Sequence, residues 1–377
     1  MDDVVALRRD LHAHPEMAFV EKRTTDLIVE RLKAFGLVPQ VMPTGMGVLC
    51  DIGTHGPLIA LRADIDALPL PDTKDVPYRS QVDDMAHACG HDAHTAILLT
   101  AAGQLARADL PGRVRLIFQP GEETVPGGAL TVLAAGGLDG VEQIYALHCD
   151  PRIDVGNIGL RPGPVTAACD SVEVRLTGPG GHTSRPQLTV DLVYALGRLV
   201  TDLPGMLSRR VDPRSGLSLV WGVIEAGHAT NAVPSAGVVR GTVRVLDRDA
   251  WHGAEHVVSG LVHQIIAPTG ANAQITYVRG VPPVSNDASC VGLQRVAVVA
   301  SLGPDAVTTT EQTMGGEDFA WYLERIPGAL ARLGVHTPGG QRVDLHQSTF
   351  DIDERALTVG VRYTVQLALG ALHAVAA

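Results

Sequence analysis

Residues 58–66 read Leu-Ile-Ala-Leu-Arg-Ala-Asp-Ile-Asp, a short apolar run that ends in two carboxylates. Such a run is typical of a strand buried in a parallel sheet. Comparable runs occupy residues 48–52, 114–118 and 144–147, and residues 92–107 have the character of a helix. Strands that alternate with helices predict an α/β domain whose sheet is mostly parallel and flanked by helices.

A different order of elements begins near Ser171. The sequence predicts a strand, a helix, two strands, a helix and a strand, at residues 172–176, 190–203, 217–224, 238–246, 251–266 and 273–278. This βαββαβ order is that of the ferredoxin-like split arrangement. Because it differs from the first pattern, it predicts a separate domain.

Prolines mark where this second domain begins and ends. Residues 162–164 (PGP) and 282–283 (PP) bracket it and suit two hinges. A strand at 330–335 and a final helix at 355–375 then resume the first pattern. We therefore predict a discontinuous domain of residues 1–166 and 281–377, with residues 167–280 inserted into it.

Composition argues against several classes of partner. Asp and Glu number 41 against 30 Lys and Arg, a formal net charge of −11, and only 4% of residues are aromatic. Nucleic-acid binding needs clustered positive charge and stacking rings, so we expect no nucleic-acid partner. Since no apolar run could span a bilayer, no signal-peptide pattern is evident and the five cysteines are scattered, we expect a cytoplasmic protein without a membrane partner.

Polar side chains cluster where the predicted strands end and where one helix begins. These segments carry thiol, imidazole or carboxylate groups: Asp64 and Asp66, residues 87–92 (HACGHD), residues 119–123 (QPGEE), His148, and residues 344–346 (DLH). Ligands of open α/β sheets gather at the carboxyl ends of the strands. One thiol with several imidazoles and carboxylates suits one or two divalent metal ions.

Two details sharpen this prediction. Cys89 and His91 share a glycine-containing turn, and the helix that starts there favours a Cys89 thiolate. Glu122 and Glu123 are adjacent in a loop, so one carboxylate can bind metal while the other acts as a general base for water. A single histidine or an acidic turn is more often structural, and it is the combination that favours a metal site.

Seven short segments together resemble the M20 family of metallopeptidases, in particular its bacterial amidohydrolases, hippurate hydrolases and auxin-conjugate hydrolases. They occur in order over nearly the whole chain, at residues 11–16 (LHAHPE), 62–69 (RADIDALP), 87–92 (HACGHD), 119–123 (QPGEE), 180–182 (GGH), 231–234 (NAVP) and 316–319 (GEDF). Each segment alone is weak, but the combination is highly specific. The resemblance implies a metal-binding catalytic domain with an inserted lid and dimerisation domain, and hence a homodimer.

The resemblance also implies a ligand set for two divalent metal ions: Cys89, His91, Glu123, His148 and His346. A thiolate ligand favours zinc, whereas the imidazole and carboxylate ligands also suit manganese or nickel. Related peptidases carry a metal-binding histidine where Asp64 stands in this chain, a departure that fits the branch with the Cys-Gly-His turn.

Further residues receive roles from the same resemblance. Glu122 matches the general base, and Asp66 matches an acidic residue beneath the metals that orients a ligand. In the inserted domain, His182 matches a residue that reaches a neighbouring active site across the dimer and stabilises the oxyanion of the substrate. Asn231 matches a lid residue that contacts substrate, and Gly316 belongs to a loop under the substrate.

The predicted activity is metal-dependent hydrolysis of the linear amide bond of an N-acyl amino acid, or a similar small amide, to a carboxylic acid and an amine. A dipeptidase or an N-carbamoyl amino acid hydrolase would use the same scaffold with other pocket contacts. A non-catalytic dimer that binds metal or ligand is a further alternative, against which Glu122 and the full ligand set argue. Gln187, where many relatives carry histidine, is a departure that bears on substrate preference or the dimer contact.

Overall fold

The computed structural model describes residues 2–376, which form two compact units. The first unit runs up to Gly163 and adds Asn286–Glu311 and the chain from Asp318 onwards. The second comprises Pro164–Ser285 and Gln312–Glu317. Compared with the predicted insertion at residues 167–280, the second unit begins three residues earlier, ends five residues later and includes the short segment that contains Gly316.

The first part of the chain alternates helices and strands, as the sequence predicted. Its elements are α1 (Asp2–Ala13), α2 (Lys22–Ala34), β1 (Gln40–Val41), β2 (Val48–Ile52), β3 (Leu58–Asp64), α3 (His91–Leu105), β4 (Arg113–Gln119), α4 (Ala129–Ala134), β5 (Gln143–Asp154), β6 (Ile158–Leu160) and β7 (Gly163–Pro164). The carboxylate of Glu16 accepts hydrogen bonds from the backbone N–H groups of Arg23 and Thr24, both at 2.8 Å. It thereby satisfies donors that the first turn of α2 leaves unpaired.

The second unit contains the predicted βαββαβ order. Its elements are β8 (Ala168–Thr177), β9 (Gly181–His182), α5 (Leu192–Leu207), β10 (Ser218–Ala226), β11 (Ala232–Val233), β12 (Ala236–Val245), α6 (Arg248–Ile266), β13 (Asn272–Val281) and β14 (Ser285–Asn286). β10, β12, β8 and β13 form an antiparallel sheet in that order. Asp191 and Asp247 cap the two helices by accepting hydrogen bonds from Tyr194 N–H and Ala250 N–H.

The rest of the chain completes the first unit with α7 (Ala288–Leu302), β15 (Val307–Thr309), α8 (Ala320–Leu323), β16 (Gly328–His336) and α9 (Arg355–Ala376). The large sheet has the order β1–β2–β4–β3–β5–β16–β6–β15. Its central strands β4, β3, β5 and β16 are parallel to one another, whereas β1 and β2 add to one side in antiparallel orientation. The parallel strands therefore bring the ends of β3 and β4 to the same edge of the sheet.

One strand is longer than the sequence predicted. The run at residues 144–147 continues to Asp154 because β16 pairs alongside it, with Arg332 opposite His148. His148 therefore lies inside a strand and not after its end. Among the described residues 2–376, no helix is both long and apolar enough to cross a lipid bilayer.

Candidate metal centre

The turn that leads into α3 carries two of the predicted ligands. Gly90 has a φ of +90°, and a Cβ atom placed on it would lie 2.8 Å from the Cys149 sulfur. Only glycine fits this conformation and this space. The turn places both Cys89 and His91 in the protein interior, with His91 as the first residue of the helix.

The structure brings all five predicted ligands together. Cys89 Sγ lies 3.6 Å from His148 Nε2, and Glu123 Oε1 lies 3.9 Å from His91 Nε2 and 3.3 Å from His346 Nε2. Two triads share the thiol: Cys89 with His91 and His148, and Cys89 with Glu123 and His346. We call these five residues the ligand cluster.

Hydrogen bonds at Nδ1 determine which ring nitrogen is available for a metal ion in two histidines of this cluster. The Nδ1 atom of His148 lies 2.8 Å from the carbonyl oxygen of Cys149. His91 Nδ1 lies 3.0 Å from the carbonyl oxygen of Asp66 and 3.2 Å from its carboxylate. Since these neighbours only accept hydrogen bonds, each Nδ1 carries a proton, which leaves Nε2 as the ring atom that can bind a metal ion.

Two atoms of the ligand cluster are buried without a hydrogen-bond partner among the described residues: His91 Nε2 and Glu123 Oε1. A buried polar atom that makes no hydrogen bond is costly. A divalent cation bound by sulfur, imidazole and carboxylate donors would satisfy both atoms. The donor set therefore fits the metal ions that the sequence predicts.

Asp66 supports two members of the ligand cluster at once. Besides its contact with His91, its Oδ2 atom accepts a hydrogen bond of 2.9 Å from the backbone N–H of Glu123. One carboxylate thus holds both the turn before α3 and the loop after β4. Contacts of this kind orient metal ligands and tune their basicity.

Burial governs the protonation of the thiol. It raises the pKa of Cys89 well above its usual value, and the charge of Glu123 adds to this effect. This direction is opposite to the predicted effect of the helix start, because burial and the neighbouring carboxylate disfavour the thiolate in the metal-free protein. Burial also opposes protonation of His91, but the Asp64 carboxylate overcomes it and holds the pKa of His91 well above its usual value. A metal ion has to displace these protons when it binds.

The two adjacent glutamates both face His91 and differ in their other contacts. Glu123 contacts His346, whereas Glu122 Oε2 lies 3.9 Å from His91 Nε2 and Glu122 Oε1 lies 3.5 Å from the backbone nitrogen of Asp318. Glu122 thus lies beside the ligand cluster, and together with His91 and Glu123 it forms a further group that could hold a metal ion. This is the placement that a general base needs, within reach of a water molecule held by the cluster.

His346 comes from a loop and not from a regular element. It has a φ of +62°, in the left-handed region that few non-glycine residues adopt, and about half of its side chain is exposed. Its backbone N–H donates a hydrogen bond of 2.8 Å to the carbonyl oxygen of Ala88. The Glu123 carboxylate, whose Oε1 atom lies 3.3 Å from His346 Nε2, raises the pKa of the imidazole.

The other predicted site residues belong to the second unit. His182 lies opposite Ala232 in the two-stranded ribbon of β9 and β11, where it is exposed, and the N–H of Thr183 donates to the carbonyl oxygen of Asn231. His182 and Asn231 are therefore neighbours on one small surface. Gly316 lies in the segment Gln312–Glu317 of the same unit. The catalytic and binding roles of these three residues stay predictions.

Sequence reasoning missed a second buried cluster beside the ligands. Its members are linked by hydrogen bonds and ion pairs: Arg62, Asp64, His94, Gln119 and Asp318, which we call the arginine cluster. Asp64 Oδ1 lies 2.5 Å from His94 Nδ1, and Asp64 Oδ2 lies 2.6 Å from an Arg62 nitrogen. The alternation of charge and apolar residues in residues 62–66 was the available signal.

Comparison with known proteins identifies the family. The sequence model of Peptidase family M20/M25/M40 matches residues 60–370. The chain belongs to this family of metallopeptidases and related hydrolases.

Two curated relatives match almost the whole chain. A protein from Rhodococcus jostii (strain RHA1) with the name glutamate–cysteine ligase 2-3 is 50% identical over 365 residues, which are 97% of this chain but only 46% of that protein. N-acetylcysteine deacetylase from Bacillus subtilis (strain 168) is 37% identical over 380 residues, which are 99% of this chain and 97% of the deacetylase.

Solved structures agree with this assignment. A dinuclear metal-binding peptidase of the M20 family from Bacillus subtilis has a TM-score of 0.87 at 35% identity, over 98% of this chain and 97% of the other. An aminohydrolase from methicillin-resistant Staphylococcus aureus has a TM-score of 0.92 at 30% identity, over 98% and 96%. These matches confirm the predicted α/β class, with a largely parallel central sheet flanked by helices.

Proposed function

We propose that this chain is a metal-dependent amidohydrolase that cleaves the linear amide bond of N-acyl amino acids, or of similar small N-acyl amides, to a carboxylic acid and an amine. The observation that carries the proposal is the convergence of a thiol, three imidazoles and a carboxylate, with Glu122 beside them. Two of the converging donor atoms, His91 Nε2 and Glu123 Oε1, are buried without a hydrogen-bond partner among the described residues. The similarity to an N-acetylcysteine deacetylase over 99% of the chain supports the same substrate class.

The chemistry divides between the ligand cluster and Glu122. Cys89, His91, Glu123, His148 and His346 would hold two divalent ions, which when bound lower the pKa of water and polarise the amide carbonyl. Glu122 accepts the proton of the attacking water and donates it to the leaving nitrogen. Asp66 keeps His91 and Glu123 oriented throughout.

The inserted unit would contribute to substrate binding. We assign His182 as a donor to the oxyanion, Asn231 as a substrate contact and Gly316 as part of the loop under the substrate. Because the sequence motifs imply that His182 serves a neighbouring active site, the proposal includes a homodimer formed through the inserted unit.

The ligand chemistry also bears on the metal and on the compartment. One thiolate with imidazole and carboxylate ligands suits zinc, and the same set accepts manganese or nickel. All five cysteines are free within the described residues. Free thiols are usual in reducing compartments, so we propose a cytoplasmic location. We do not carry over the ligase activity in the name of the Rhodococcus relative, since more than half of that protein lies outside the match.

The test is the substitution Glu122→Gln in the metal-loaded enzyme, assayed on N-acetyl amino acids, dipeptides and N-carbamoyl amino acids. We expect kcat on the preferred N-acyl substrate to fall by about 10²- to 10⁴-fold, because the variant keeps the shape of the side chain but cannot accept a proton. Metal content should be unchanged. Glu142→Gln, on an exposed residue, is the matched control.

Wild-type turnover by a fully metal-loaded Glu122→Gln variant would contradict the assignment of the base. Preferred hydrolysis of dipeptides or N-carbamoyl amino acids by the wild-type enzyme would move the substrate class to one of those groups. Stoichiometric binding of amides without any metal-dependent turnover would favour the non-catalytic alternative.

A further inference from the structure

A third buried polar cluster surrounds His12, on helix α1. His12 Nδ1 lies 2.6 Å from Asp92 Oδ2, which also accepts a hydrogen bond of 2.7 Å from Arg8 Nε. On the other side of the ring, His12 Nε2 lies 2.9 Å from Lys74 Nζ and 3.2 Å from Asp72 Oδ2. We call these five residues the His12 cluster. Their side chains are at most 7% exposed.

The hydrogen-bond pattern of the His12 cluster leaves little freedom. A lysine ammonium group can only donate, so His12 Nε2 accepts from Lys74, and Nδ1–H donates to Asp92. Two cations, Arg8 and Lys74, balance the two carboxylates of Asp72 and Asp92. In a buried site, removal of any one partner leaves a charge that water cannot compensate.

The His12 cluster connects to the metal centre on one side through sequence. Asp92 directly follows His91 in the first turn of α3. A side chain that holds Asp92 in place therefore also fixes the first turn of the helix and the Cys89–His91 pair.

On its other side the cluster binds Phe350 and Asp351, which follow shortly after His346 in the chain. Lys74 Nζ donates a hydrogen bond of 2.8 Å to the carbonyl oxygen of Phe350, whose ring is fully buried. Arg8 and the Tyr78 hydroxyl both bind the Asp351 carboxylate, at 2.8 and 2.9 Å. These contacts anchor a segment that otherwise belongs to the loop between β16 and α9.

We propose that the His12 cluster is a positioning device that holds the His346 loop against the Cys89–His91 turn and so sets the affinity of the metal position that His346 completes. The inference rests on the proposed metal centre. It assigns Lys74 as a positioning residue that acts through the His346 loop, with His12 as its buried partner. His346 needs such support because it sits in a loop in a rarely populated backbone conformation.

The experiment measures stepwise zinc binding to metal-free protein by competition with a chromophoric chelator. His346→Ala first identifies which of the two dissociation constants belongs to the position that His346 completes. In Lys74→Met we expect that same constant to rise about tenfold or more, as is usual when an outer partner of a metal ligand is lost. The constant for the position of Cys89, His91 and His148 should stay within about twofold of wild type, because Arg8 and His12 still hold Asp92 in this variant.

Two further variants make the result interpretable. Lys22→Met removes an exposed lysine that pairs with Asp26 on the surface, and it should leave both constants unchanged. Tyr78→Phe deletes only one hydroxyl and keeps the buried charges paired, so it decides the question if Lys74→Met does not fold. We expect Tyr78→Phe to weaken the same constant, by less than Lys74→Met does.

Three results would overturn the inference. In the first, folded Lys74→Met and Tyr78→Phe bind both zinc ions like wild type, even if their melting temperatures fall, which would mean a purely structural role. In the second, both constants weaken equally, so the effect is not transmitted through His346. In the third, wild-type protein binds fewer than two zinc ions, which contradicts the proposed function itself and the inference with it.

Discussion

His91 and His94 lie three residues apart on α3, with ring centres 5.4 Å apart, and belong to two different clusters. His94 accepts a hydrogen bond of 2.8 Å from the backbone N–H of Cys149 through Nε2, so its Nδ1–H donates to Asp64. Both of its nitrogens are satisfied by protein. His91 satisfies only Nδ1, and its Nε2 is buried without a hydrogen-bond partner among residues 2–376.

The arginine cluster, which contains His94, and the ligand cluster, which contains His91, differ in the same way. In the arginine cluster Asp318 accepts hydrogen bonds from Arg62, from Gln119 and from the backbone N–H of Ala129. The ligand cluster instead points a thiol, imidazoles and a carboxylate at one another. Complete pairing indicates a structural role, and converging donor atoms without partners indicate a ligand-binding role.

His87 shows that an unpartnered ring nitrogen does not by itself indicate a metal site. The side chain is buried and neither ring nitrogen has a hydrogen-bond partner in the described part of the chain. It belongs to none of the groups of three potential metal ligands found among residues 2–376. Burial lowers the pKa of His87 to about 4, so the ring stays neutral near pH 7.

The largest effect on stability is expected from Asp64→Asn in the metal-free protein. The substitution leaves the buried Arg62 guanidinium with one carboxylate fewer and puts an amide donor where two donors converge. We expect the free energy of unfolding to fall by about 3–5 kcal/mol, measured by urea denaturation. Asp51→Asn, which weakens the partly exposed pair with Arg115, is the matched control and should cost about 1 kcal/mol or less. Equal costs would contradict the structural role assigned to the arginine cluster.

The next largest effect is the change in the free energy of unfolding with pH that His87 causes. The unfolded chain takes up a proton at this residue near the usual pKa of 6.5, whereas the folded protein does so only near 4. Stability is therefore lost as the pH falls through this window, by about 3 kcal/mol from this residue. His87→Leu should remove this part of the loss, so the difference in unfolding free energy between variant and wild type should change between pH 7 and pH 4. A difference independent of pH would contradict the neutral, unpartnered state of His87.

The third prediction compares His91 and His94 by the stabilisation that a bound metal gives. Zinc or manganese at about 100 times its dissociation constant should raise the unfolding free energy of the wild-type protein by about 2.7 kcal/mol. His91→Asn should lose this increase, because it removes an unpartnered donor. His94→Asn should start from a lower stability but keep most of the increase. If His94→Asn abolished the metal effect and His91→Asn did not, the assignment of the two histidines would be reversed.

The sequence predicted some elements closely and missed others for identifiable reasons. The predicted strand at residues 48–52 coincides with β2, and the predicted helix at 92–107 begins one residue later and ends two residues later than α3. Helix α7 was missed, because its apolar residues occur on both faces: Val298 is buried while Val296 and Val299 are exposed. The antiparallel pairing of β2 with β4 also lay outside the prediction, since strand order depends on contacts between distant segments.

By itself the sequence determined the local chemistry of this protein. The spacing of Cys89 and His91, the adjacent glutamates and the ends of the apolar runs follow from neighbouring residues, and they were sufficient to predict a metal centre in an α/β domain. Only the tertiary structure decided which of the polar groups are satisfied by protein. His91 and His94 look alike in the sequence, and they differ because Asp64 and the backbone of Cys149 complete the hydrogen bonds of His94 alone.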